Sequence, residues 1–338
     1  MVRQLYRRGH AISMKDSLTT VQRNKIQFLR GIAITAVVFI HSMPNGIIQV
    51  FLRPLINYPV ALFLFLSGLL STANNWNPKK RIVKIIIPYF IWTFIYSVIY
   101  CYNRLDNVPL HFVKYLITAS APAMMYYVYV YIQCTLLIPL IDRMAKSKLW
   151  ILGLAVSPLE IVVFRLIPLV CNIEFHSYIR IIMRISCLGW FSFFYLGYLL
   201  GNNNIKICIS AKVIAVFWLF SVVFQIAEGY LYYILGSDDC GTQLKITAVL
   251  SGFLLIILSY KYIFSNQDFM IAAIKRLGDI SFGIFFSNIA VMRGLELIPG
   301  YSKAVHFPIN AFLNLIVCSF FVVVCKTILG KKGKYLAF

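Results

Sequence analysis

The residues whose chemistry stands out are ionisable groups inside long apolar stretches. Charge is expensive in hydrocarbon, so each such group is a functional candidate. They are Arg30, His41, Glu160, Arg165, Glu228, Arg293 and Glu296. Arg30 and His41 share the first apolar stretch, eleven residues apart. In an α-helix that offset is about 20° beyond three full turns, with about 16 Å of rise, so one face carries both groups. Arg30 then lies near one membrane surface and His41 toward the other. A guanidinium suits phosphate binding. An imidazole, with an unperturbed pKa of about 6.5, suits general-base work on a hydroxyl. Together they fit group transfer across a membrane. Spacing alone leaves two plainer readings open: Arg30 snorkelling to lipid headgroups, and His41 bonded to a carbonyl at the interface.

The other groups are less telling. Glu160 and Arg165 are five apart, about 140° around an α-helix, so each is expected to find its partner on another helix. Arg293 and Glu296 are spaced i,i+3 and can neutralise one another. Glu228 either lines a cavity or sits at the interface. Tyr126, Tyr127, Tyr129 and Tyr131 read equally as a sugar-stacking face or as an interfacial aromatic belt. The eight cysteines form no CxxC and no Cys/His cluster, and no metal site is expected. Cys171 and Cys240 are the pair that would face outward together.

The elements that must position these groups follow from composition. The chain is 60% hydrophobic and 13% charged, with mean hydropathy +0.80. A soluble domain carries about 25% charged residues. Apolar runs near the ~20 residues that cross a bilayer, without alternation, select helices. They fall at about 26–43, 53–73, 82–102, 122–141, 149–170, 186–201, 211–235, 245–264, 279–298 and 308–329. The expected fold is all-α: a polytopic membrane protein with about ten transmembrane helices. The net charge of +21 does not indicate nucleic acid, because the basic residues lie between apolar runs. With a cytoplasmic N-terminus, 22 of the 32 basic residues fall in inside segments. Arg53, Arg104, Lys114, Arg180, Arg184, Lys245 and Lys303 fall outside. That bias places both termini in the cytoplasm. The polar, basic start has no cleavage pattern, so the first apolar run stays as a helix. The chain divides into a basic N-terminal segment (1–23), one transmembrane domain (24–330) and a basic tail (331–338), the two ends cytoplasmic.

Several local segments, in order, resemble acyltransferase family 3. Phe28-Leu29-Arg30-Gly31 running to His41 is similar to the family's opening Arg/Lys, ten residues, His. Phe63-Leu64-Phe65-Leu66-Ser67-Gly68 resembles its FFLSG segment. Arg81-x-x-Lys84 followed by Pro88-Tyr89 and Trp92 is similar to its basic motif before a Pro-Tyr-x-x-Trp helix. Phe194-Tyr195-Leu196-Gly197-Tyr198 and Ile280-Ser281-Phe282-Gly283-Ile284-Phe285 resemble two later segments. The resemblance covers about residues 24–330, and its specificity lies in the order of the motifs. Two departures are clear. Asn288 stands where the late motif has His, which preserves hydrogen bonding but not proton transfer. Tyr126-Tyr127 stands where the family has Trp-Phe.

The resemblance implies a membrane-embedded acyltransferase. It would move an acyl group, usually acetyl, from acyl-CoA to a hydroxyl of a cell-surface polysaccharide or other exported glycan, in a bacterial inner membrane. Acetyl-CoA is a donor substrate, and no permanently bound cofactor is implied. Arg30 and His41 are the implied catalytic pair. Arg30, Arg81 and Lys84 would meet the donor's phosphates. Ser67, Tyr89, Trp92, Tyr127, Glu228 and Asn288 are candidates to line the substrate path. Ser67-Gly68 also reads as a small pair that lets helices approach closely. A flippase for a lipid-linked glycan and a non-catalytic module on the same scaffold are the alternatives; the chain shows none of the repeated halves common in transporters.

Overall fold

The computed structural model describes residues 18–338 except Asn75 and Asp268. Among the described residues the secondary structure is entirely helical. Helix α1 (Thr20–Ser42) starts at a capping box. The Thr19 hydroxyl accepts from Gln22 N at 3.2 Å and the Gln22 side chain accepts from Thr19 N at 2.9 Å. The first helix therefore begins ahead of the expected boundary at 24, and residues 1–17 of the expected basic segment lie outside the described residues.

Helices α2 (Ile47–Ile56) and α3 (Pro59–Leu69) together fill the second expected run. α4 (Pro78–Tyr100) starts with Asn77 accepting from Lys80 N and Pro78 in the first turn. α5 (Val108–Thr118) lies between the expected runs 82–102 and 122–141. α6 (Tyr126–Leu136) and α7 (Ile138–Lys146) meet at a 56° bend. Pro139 in the first turn of α7 cannot donate back to α6. α8 (Leu152–Ile161) passes through a π turn (Val162–Leu166) into α9 (Ile167–Val170). Then follow α10 (Ser177–Ile185), α11 (Leu188–Gly201), α12 (Ala211–Ile234), α13 (Ile246–Ile263), α14 (Ala272–Asp279), α15 (Ser281–Glu296), α16 (Tyr301–Ala304) and α17 (Ile309–Leu329).

Among the described residues, eight segments are long and apolar enough to cross a membrane, or nine if bent α6–α7 is one span. The shortfall from ten sits at 279–298. There α15 is only 16 residues long, and α14 breaks from it at Ile280. Large apolar side chains on the outside mark the lipid-facing sides, such as Phe217, Phe220 and Phe224 on α12 and Phe312, Ile316 and Phe320 on α17.

Two apolar clusters fill the body. One joins α3, α7, α8, α11 and α13; the other joins α4, α6, α15 and α17. α1 runs between them, giving Ile26, Leu29 and Ala33 to the first and Ile34, Val37 and Val38 to the second. Its lower half is locked by backbone proximity. A Cβ on Gly31 would stand 1.8 Å from Ile274 O, and one on Gly278 1.8 Å from Gln27 O. α3 and α11 meet in the same way, with a Cβ on Gly68 falling 2.0 Å from Phe194 O. That is the close approach expected of Ser67-Gly68. The end of the chain is not a free tail. Gly330–Leu336 forms a 3₁₀ turn, Trp92 Nε1 donates to Leu336 O at 3.1 Å, and Phe338 packs against Trp92.

Candidate functional site: a cationic cavity at the His41 end of the first helix

Where the two clusters part, at the C-terminal end of α1, the protein forms a half-open cavity of about 820 Å³. Tyr126 and Tyr127 at the start of α6 belong to the margins of both clusters and line it. His41 stands on its wall. Among the described residues the His41 ring makes no hydrogen bond or ion pair, so both nitrogens are free to engage what enters.

Four arginines line the same space: Arg53, Arg165, Arg180 and Arg184. Arg53, whose charge acts on His41, is aimed by the break between α2 and α3. Its Nε donates to Asn57 Oδ1 at 3.1 Å, and Asn57 Nδ2 is held by Gln225 Oε1 at 2.8 Å and Thr242 O at 3.3 Å. Arg165 is aimed by the π turn. Glu160 Oε2 lies 3.9 Å from Arg165 Nε, which corrects the expectation that each would find its partner on another helix. A π turn closes i→i+5, so residues five apart share a face that an α-helix denies them. Tyr126 and Trp190 form an aromatic shelf on the wall, their rings stacked at 6.0 Å and 21°.

Arg30 is half-buried and does not line this cavity. Its electrostatic neighbours are Tyr127, Asp279 and Tyr131, and among the described residues it has no hydrogen bond or ion pair. Tyr127 therefore connects the two groups: it lines the cavity with His41 and is also an electrostatic neighbour of the Arg30 guanidinium.

The remaining sequence candidates divide. Tyr127 lines the cavity, whereas Ser67, Tyr89, Trp92, Glu228 and Asn288 do not. Ser67 donates to Phe63 O at 2.9 Å, a bond within its own helix. Tyr89 Oη donates to Leu116 O at 2.7 Å, pinning α5 to α4, and Trp92 is spent on Leu336. Glu228 caps α13, accepting from Ile246 N at 3.1 Å, Thr247 N at 2.9 Å and the Thr247 hydroxyl. Asn288 is fully buried behind Met124 and Phe285, which themselves face the cavity. Its Nδ2 donates to Phe285 O at 2.8 Å and Ile284 O at 3.0 Å, and its Oδ1 has no partner. Arg81 donates to Ser71 Oγ at 2.6 Å and Leu70 O at 3.3 Å, closing the C-terminus of α3, while Lys84 is exposed. Cys171 and Cys240 are not bridged; Cys171 is exposed and Cys240 is buried. Arg293 and Glu296 do pair, at 2.8 Å.

Arg53, Arg180 and Arg184 were not singled out from sequence, and Arg165 was named only as an ionisable candidate seeking a partner on another helix. A signal was present, since Arg53, Arg180 and Arg184 are three of the seven basic residues that depart from the charge bias read along the sequence.

A family model for the acyltransferase domain of acyltransferase family 3 matches residues 23–331. No curated protein and no solved structure matches the chain. The family match begins within α1 and ends beyond α17, so it takes in every element that builds the cavity: the chain belongs to acyltransferase family 3 and is a multi-pass membrane acyltransferase.

Proposed function

We propose that this enzyme transfers an acyl group, in the first instance acetyl, from acyl-CoA on the cytoplasmic side to a hydroxyl of an exported glycan bound in the His41 cavity. The carrying observation is an imidazole free of partners among the described residues on the wall of an 820 Å³ space with an aromatic shelf. That volume lies within the ~300–1,000 Å³ range of ligand pockets. The charge bias supports an orientation in which the Arg30 end of α1 faces the cytoplasm and the cavity faces outward, in the inner membrane of a bacterium.

In this reading Arg30 holds a donor phosphate, and the thioester reaches past Tyr127 toward His41. A His41 nitrogen takes the acceptor's hydroxyl proton as that oxygen bonds the thioester carbon. The carbon–sulfur bond then breaks, and the CoA thiolate recovers a proton. Arg81 is reserved for the α3 terminus, which shifts the phosphate role toward Arg30 and Lys84.

The test is His41→Ala in a host that makes the cognate glycan, read by mass spectrometry of the purified polymer. Loss of the acyl mass from the polymer is the expected result. Acylation at the wild-type level refutes the assignment.

A further inference from the structure

Resting on that reading, we infer that the acceptor is anionic: a glycan carrying carboxylate or phosphate close to the hydroxyl that is acylated. Among the described residues the cavity wall carries four arginines against two carboxylates, Glu174 and Asp239. Among the described residues, the one ion pair made by these arginines is Arg165 to Glu160, at the long distance of 3.9 Å. Arg165 Nε is buried with no hydrogen-bond partner. Arg53 uses only Nε, on Asn57, and leaves both terminal amino groups for a ligand. Arg180 and Arg184 are exposed, one turn apart on α10.

Guanidinium groups crowded around a concave, partly desolvated space are costly without counter-charge. Their planar forks match carboxylate and phosphate oxygens in pairs. A cleft of one sign also concentrates ions of the opposite sign. The stacked Tyr126–Trp190 shelf offers an apolar face for a sugar ring. The arginines thus supply the charge recognition and the shelf the ring recognition, and His41 lines the same cavity.

The experiment uses the full chain in nanodiscs of neutral lipid, with binding followed calorimetrically and no acyl donor present. Three probes are compared: trigalacturonic acid, whose charge is on the sugar; farnesyl pyrophosphate, whose charge is on a lipid linker; and neutral maltotriose. At least one anionic probe is expected to bind ten-fold or more tighter than maltotriose, and whichever does identifies the source of the charge. Arg180→Ala/Arg184→Ala, two exposed positions, is expected to erase most of that preference while the melting temperature holds. Equal binding of all three probes, no binding of either anion, or a preference that survives the double substitution overturns the inference. Because no transfer is measured, its failure is distinguishable from failure of the His41 assignment, which is judged by polymer acylation alone.

Discussion

The two ends of α1 are built on opposite rules. At the Arg30 end, Gly31 and Gly278 let α14 press its backbone against that of α1, leaving no room for a methyl group. At the His41 end the neighbouring helices part around 820 Å³ of open space. The packed end fixes where α1 stands, and the open end uses that fixed position to present an imidazole. A catalytic group on a helix is only as well placed as the helix, so dense packing at one end is what permits a void at the other.

Substitutions at the two ends should therefore fail in different ways. The largest effect is expected from His41→Ala, with transfer falling by about 10²-fold or more and the melting temperature nearly unchanged. A matching loss of folded protein in a thermal melt would erase the contrast. Gly31→Leu should do the reverse, costing about 3 kcal/mol or more through overpacking. Its readout is the yield of monodisperse protein in detergent, and wild-type yield would show that α14 can retreat. Arg30→Ala should raise the KM for acyl-CoA with less effect on acceptor use, measured by varying each substrate in turn. An effect confined to the acceptor would move Arg30 to the cavity side of Tyr127. Glu228→Ala should remove the cap of α13 and cost about 1–2 kcal/mol of stability, with polymer acylation intact. Smallest is Trp92→Phe, which removes one hydrogen bond to Leu336 worth about 1 kcal/mol and should leave acyl transfer unchanged in a substrate assay.

Much of this architecture was legible in the sequence, because apolar length and charge bias are properties of single segments. α1, α4, α12 and α13 fall close to their apolar runs for that reason. What was hidden depends on pairs of segments. Glu228 looked like a functional charge because nothing in its own helix reveals that the first amides of α13 lie beside it. Tyr89 and Trp92 sit in a recognisable motif, yet their polar atoms are taken by α5 and by the end of the chain. α15 read as a full span because the break at Ile280 leaves no proline behind. Arg53 and Arg184 were counted among charges on the wrong side of the membrane, and only the fold shows that they and Arg165 converge on one space.

The π turn at Val162–Leu166 acts as a dislocation in an otherwise regular rod. The turns before it keep their own phase with α11, and those after it keep theirs with the cavity, because one surplus residue absorbs the mismatch. Deleting a single residue there, such as Val163, should re-phase everything downstream by about 100° and swing Pro168 and Leu169 off the wall they now form. The segment's length in residues, more than the identity of any one of them, thus governs which way its last turns look.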